Sequence, residues 1–246
     1  MEVLWKASFG SAAKKPTVGR NILQAMINNK IDLPLTVGIS GASGNIYGLR
    51  LLQFLLENNY KINLVVSESA LKVALHENNL LLSSNPQTQK EQVLSYLSLS
   101  LSNDDLLTVW PHDDIAASIS SGSYKTSGMV IIPASMGTVA SIACGISRNL
   151  ITRAADVCLK EKRKLILVPR EMPVSSIHLE NMLKLSNLGV IIAPACPGFY
   201  HNPVQTFDLI DFVVGKVLDL LGFEHNIFKR WQSQSKQLTS KTSTNL

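Results

Sequence analysis

The run Leu35 to Gly48, LTVGISGASGNIYG, leaves this chain few folds to choose from. Leu35, Val37 and Ile39 are β-formers, and the stretch then breaks into Ser40, Gly41, Ser43 and Gly44 before a helical pattern resumes from about Asn45 to Glu57. A strand that turns through small residues directly into a helix aims unpaired amides, and the positive end of the helix dipole, at whatever sits in the turn. Ser40 and Ser43 add hydroxyl donors, so an anion is the expected guest. Gly44 is followed by Asn45 rather than Lys, which excludes a Walker A loop, and glycines at 38, 41, 44 and 48 do not spell a dinucleotide fingerprint. A mononucleotide phosphate remains compatible, as does a turn that binds nothing.

The rest of the chain continues the pattern. Lys61 to Val66 reads as a second strand ending at Ser67, with a helix from Glu68 to about Glu77, so the opening forms a β-α-β unit with parallel strands. Residues 80–106 read as a peripheral excursion with a helix over Thr88 to Leu97, and Asp113 to Ser123 as a loop near the sheet edge. Gly128 to Pro133 is a continuous apolar strand that runs into a second small-residue elbow, Ala134-Ser135-Met136-Gly137-Thr138, and a helix to about Ala143. Two helix starts then face one end of one sheet, where open α/β proteins bind ligands. Asn149 to Lys162 reads as a helix with Arg153, Asp156 and Lys160 on one face, Leu165 to Val168 as a strand running into Pro169-Arg170-Glu171, and Val174 to Leu188 as a helix. Val190 to Ala193 is the next strand, Pro194 to Pro203 a rigid loop, and Phe207 to Leu221 a final helix carrying Lys216. A charged pair such as Arg170-Glu171 at a buried strand end is costly unless it serves a purpose, and it marks a candidate site.

A net charge of +5 over 246 residues suggests nucleic acid until the charge is located. Residues 1–34 and 229–246 together hold nine basic residues against two acidic ones, so residues 35–228 carry −2 and the basic character belongs to the ends. The extension 1–34, with an amphipathic patch around Asn21 to Ile27, fits either a disordered segment or an organelle transit peptide. Residues 229–246 have little to bury and read as disordered. Cys144, Cys158 and Cys196 lie in apolar or helical surroundings without C-x-x-C spacing and read as buried thiols. The five histidines include no H-x-x-x-H pair, so no metal is expected. Without a membrane-length apolar run, the chain reads as soluble and cytoplasmic, with targeting by the extension left open.

With these pieces placed, the chain resembles the UbiX-type flavin prenyltransferases. GISGASGNIYGLRLL, DIAASISSGS, TRAADVCLKEKRKLILVPRE and PGFYHNP carry the likeness, in the family's order, over about residues 34–228. Ala134 departs from it, standing where many members have Cys. The resemblance implies a Rossmann-like, flavodoxin-like three-layer α/β/α fold with a parallel sheet, and a homododecamer with sites shared between subunits. It also implies an activity: reduced FMN and dimethylallyl phosphate are joined through flavin N5 and C6, phosphate leaves, and the prenylated flavin passes to a UbiD-type decarboxylase, in ubiquinone synthesis or aromatic acid decarboxylation.

By position, the resemblance assigns Gly41, Ala42, Ser43, Ser67, Ser135, Met136, Gly137, Thr138 and Arg170 to FMN. It assigns Tyr200, Lys216 and Lys160 to dimethylallyl phosphate, with Arg153 beside Lys160 on the same helix face, and puts Glu77 and Glu171, with Ser43, near the reacting groups. Such a set is chemically apt, because the departing phosphate develops negative charge that cations and a phenol hydroxyl stabilise. Two rivals stand beside it: a flavin-dependent decarboxylase of the phosphopantothenoylcysteine type, and a noncatalytic FMN-binding subunit. TRAADV and PRE argue against the first. A leaving-group grip at Tyr200 and Lys216 argues against the second.

Overall fold

The computed structural model describes residues 33–100 and 104–231, so most of the basic extension and the tail beyond Trp231 lie outside the described residues. Six parallel strands form one sheet in the order β3-β2-β1-β4-β5-β6. They are β1 (Leu35–Ile39), β2 (Ile62–Val66), β3 (Leu107–Trp110), β4 (Gly128–Ala134), β5 (Leu165–Pro169) and β6 (Ile191–Ile192). Every residue of β1, β2, β4 and β5 is buried, as strands covered on both faces must be.

Successive side chains take opposite faces and feed two separate cores. Val130 and Ile132 join Val37, Ile39, Leu64 and Val66 beneath α1 (Asn45–Glu57), α2 (Glu68–Asn78), α3 (Pro86–Tyr96) and α7 (Thr206–Leu221). Met129 and Ile131 join Leu165 and Leu167 beneath α4 (Met136–Ala143), α5 (Leu150–Lys160) and α6 (Ser176–Asn187). The three-layer α/β/α fold expected from the sequence is therefore present. At α1 the layers approach closely: a Cβ added to Gly48 would lie 2.4 Å from the Ile132 carbonyl oxygen.

The sequence reading missed β3. Its four residues alternate, with Thr108 exposed between buried Leu107 and Val109, as suits an edge strand, and β2 pairs with it from Ile62↔Leu107 onward. Residues 80–106 are thus the crossover that delivers this edge strand. Their helix starts at Pro86 rather than Thr88, because the Asn85 side chain accepts the amides of Gln87 and Thr88 and proline fits the first helical position. The cysteine expectation needs correction too: Cys158 is buried, which pushes its thiol up to about 11, but Cys144 and Cys196 are exposed.

Candidate active site

β1 sends its successor strand to one side, while β4 lies on its other side, so the crevice of this sheet opens between the carboxyl ends of β1 and β4. Both small-residue elbows meet there. Gly44 adopts φ +99°, in the left-handed region that a β-carbon disfavours, and starts α1 without a side chain to cap it. Glu77 supplies the missing acceptor from α2, its Oε2 receiving the Gly44 amide at 2.7 Å. Arg170, just past β5, donates from Nε to the Ser43 carbonyl at 3.1 Å. Its two terminal nitrogens meet no hydrogen-bond acceptor among the described residues.

Ser67 caps α2 by accepting the Ala70 amide, and Ser135 caps α4 by accepting that of Thr138, with the two hydroxyls of Ser135 and Thr138 3.0 Å apart. Helices α1, α2 and α4 therefore all begin at the carboxyl ends of β1, β2 and β4. Space over the start of α4 is open, since a Cβ added at Gly137 would meet nothing within 4 Å. Tyr47, one turn into α1, lies against Gly44, and burial raises its phenol pKa, with Cys196 adding to the rise and Arg170 opposing it. These three helix starts, with one arginine partly uncommitted, form a cradle suited to an anion.

Ser40 does not serve the anion as its sequence suggested. It is 1% exposed, and its hydroxyl donates to the Pro133 carbonyl while receiving the Ser135 amide. Nothing in the sequence distinguishes this serine from Ser43, because the partner lies more than ninety residues away.

Gly41, Ala42, Ser43, Glu77, Ser67, Ser135 to Thr138 and Arg170 are thus gathered at one edge of the sheet. Glu171 is beside them in sequence and exposed, its Oε1 accepting the amide of Met172. It pairs with neither Arg170 nor Arg153, since the latter holds Asp156 at 3.0 Å. The remaining candidates lie apart. Lys160 closes α5 shortly before β5 begins, at the amino edge of the sheet, and pairs loosely with Glu161 at 3.8 Å. The opposite end of α5 is fixed by the Leu150 amide on the His112 carbonyl, just past β3. Five-residue strands separate the two edges by roughly 15 Å, beyond the reach of a lysine side chain.

Lys216 sits in the last third of α7, whose end is held near the start of β5 by Lys164 Nζ on the Leu220 carbonyl at 2.6 Å. It faces Asp219 at 3.7 Å. The Asp219 carboxyl is held below its ordinary range, chiefly by the Arg230 guanidinium and further by His225. Tyr200 is half-exposed and packs edge-on against Phe212 and Trp231, each with ring centres 5.5 Å away. Trp231 itself is largely exposed. Among the described residues no cluster of His, Cys, Asp and Glu is placed to hold a metal ion, and no helix is long and apolar enough to cross a membrane.

Comparison with known proteins gives this geometry its context. The Flavoprotein family model matches residues 25–218. Flavin prenyltransferase UbiX of Alkalihalophilus pseudofirmus is 52% identical over 207 residues, 83% of this chain and 99% of that protein. The Pseudomonas aeruginosa protein of the same name is 45% identical over 200 residues, covering 81% and 94%. Among solved structures, AnUbiX (PadA1) in complex with FMN and dimethylallyl pyrophosphate superposes with TM-score 0.71 at 36% identity, covering 82% of this chain and 98% of that one. A dodecameric FMN-dependent Ubix-like decarboxylase from Escherichia coli O157:H7 gives TM-score 0.70 at 43% identity, covering 82% and 100%. With relatives of this identity matched nearly end to end, the chain belongs to the flavoprotein family and, within it, to the UbiX-type flavin prenyltransferases.

Proposed function

We propose that this protein transfers the dimethylallyl group of dimethylallyl phosphate to reduced FMN, forming bonds at flavin N5 and C6 and releasing phosphate. The observation that carries the reading is the cradle of three helix starts around the β1–β4 crevice, together with the partly uncommitted guanidinium of Arg170. The cradle fits a flavin mononucleotide: it offers amides and hydroxyls to a phosphate, has open space above Gly137, and needs no metal. Reduced FMN supplies the nucleophilic N5 and C6.

The residues of the chain then divide the work. Gly41, Ala42, Ser43, Ser67, Ser135, Met136, Gly137, Thr138 and Arg170 bind and orient FMN. Ser43, Glu77 and Glu171 serve to move protons, and Glu171 is exposed with no cation among the described residues holding it. Arg153, Lys160, Tyr200 and Lys216 grip the phosphate of dimethylallyl phosphate and stabilise the charge it acquires on leaving.

Lys160 lies across the sheet from its own cradle, so it serves the site of another copy. Helix α6 supplies a surface for such a copy, with Ile177, Leu179 and Leu183 all exposed and only Leu185 buried. A homododecamer with shared sites accommodates both facts, and the Escherichia coli relative is a dodecamer. The prenylated flavin is then handed to a UbiD-type decarboxylase. Anaerobic incubation of the protein with reduced FMN and dimethylallyl phosphate, followed by mass spectrometry of the flavin, tests the proposal. A flavin heavier by one prenyl group is expected, and unmodified FMN beside intact dimethylallyl phosphate sinks it.

A further inference from the structure

Ser40 stands at the junction of the two elbows, yet its hydroxyl is closed to any ligand. Three hydrogen bonds meet on this residue: its Oγ donates to the Pro133 carbonyl at 2.9 Å, its Oγ accepts the Ser135 amide at 2.7 Å, and its own amide donates to the Pro133 carbonyl at 3.2 Å. The β1–β4 ladder runs only from Leu35↔Gly128 to Gly38↔Ile131. On the far side of β4, the pairing with β5 shifts register between Ile131 and Ala134. Regular sheet pairing thus ends short of both elbows, and the Ser40 side chain continues the connection where the ladder stops. Ser135 in turn caps α4 through the Thr138 amide, so the placement of Ser135 governs the direction of the first amides of α4.

We infer that Ser40 is a positioning residue for flavin phosphate binding, its hydroxyl fixing the β1 elbow against the β4 elbow and thereby aiming the start of α4. The inference rests on the flavin-binding reading above. Removing the hydroxyl leaves the Ser135 amide without an acceptor and the Pro133 carbonyl with the Ser40 amide alone. A part-buried donor left in that state repositions itself, and the amides next to it move with it.

FMN and riboflavin, which lacks the phosphate, are titrated separately into the full-length protein and followed by fluorescence quenching. Ser40→Ala is expected to weaken FMN about tenfold, the scale of one lost buried hydrogen bond. Riboflavin should change by less than about threefold, because the disturbed elbow faces the phosphate, and Ser40→Thr, which keeps the hydroxyl, should restore the preference for FMN. A general loosening of the fold would weaken both flavins alike, and that result overturns the inference. So does an FMN affinity within about twofold of the unaltered protein, or a loss that Ser40→Thr does not repair. Should Ser40→Ala fail to fold, Ser40→Cys, with a weaker donor of similar size, takes its place under the same criteria. Absence of FMN binding by the unaltered protein overturns the functional reading itself, and this inference with it.

Discussion

The cradle between β1 and β4 and the residues proposed to grip phosphate are built on opposite plans. At the cradle the groups on offer are mostly backbone amides, and the Glu77 carboxylate and one nitrogen of the Arg170 guanidinium hold that backbone within one chain. Arg153, Lys160 and Lys216 instead lie on helix surfaces, each beside an acid respectively three, one and three residues away in sequence, and they are dispersed over both edges of the sheet. Exposed pairs of this kind contribute little to stability, about 0–1 kcal/mol each. Their side chains are correspondingly easy to redirect. The contrast teaches that the groups around the β1–β4 crevice hold one another within one chain, whereas the basic candidates do not meet there.

The harshest way to break the comparison is a charge in the cradle. Ser43→Asp sets a carboxylate among amides intended for an anion and should nearly abolish FMN binding. Fluorescence titration of a folded variant with unchanged affinity would falsify the placement of this loop in the site. Next comes Glu171→Gln, which preserves shape but removes proton transfer. FMN binding should persist while the single-turnover rate of prenylated flavin formation falls by about 10² or more, the range of general acid–base catalysis. A rate within about threefold of the unaltered protein makes Glu171 a structural residue.

Assembly is tested by Leu183→Glu, which puts a charge on the exposed apolar face of α6. Sedimentation should show smaller species, with FMN still bound and turnover of dimethylallyl phosphate reduced by roughly tenfold to a hundredfold, the scale of losing a charge-assisted contact. Full activity in a dissociated protomer refutes the shared site. Lys216→Ala isolates one contact of that type and should cost dimethylallyl phosphate about tenfold in affinity without weakening FMN. Equal loss of both ligands would mean that the two regions are a single pocket, and the distinction between them would fail.

The smallest effect concerns the segment after α7, which Arg230 and His225 tie to Asp219. The folded Asp219 pKa is depressed below its unfolded value of about 3.9, so its contribution is present above that pH and fades as pH falls through the lower folded value. Emission from Trp231, which touches Tyr200, should therefore hold steady at neutral pH and shift only below about pH 4. A transition well above the ordinary carboxylate range would remove control of this segment from Asp219.

Much of this was legible in the sequence. Strands β4 and β5 announced themselves as uninterrupted apolar runs, and β1 and β2 as apolar runs broken by Thr36, Gly38 and Asn63, because helices cover both of their faces. Their elbows were readable because small residues between strand and helix have few other uses. β3 was not, since a four-residue edge strand with an exposed threonine has too little pattern to stand out from its loop. The role of Ser40 was invisible for another reason: its partners are close only once the sheet has formed. The same holds for Glu77, whose link to Gly44 spans two helices, and for Cys196, which an apolar-looking context placed inside although it lies on the surface.

The contact of Gly48 with β4 has a bearing on how the protein tolerates change. Where α1 crosses the sheet, the Gly48 main chain lies against the Ile132 carbonyl and the Ile39 side chain, leaving no room for a β-carbon. Trading one aliphatic residue for another at Leu51, Leu52 or Leu55 alters how well the core is filled, but it leaves Gly48 in place. The height of α1 over the sheet thus depends on Gly48 as well as on how the core is filled. A lineage can adjust its thermal stability by repacking beneath α1 while Gly48 keeps the helix close to β4.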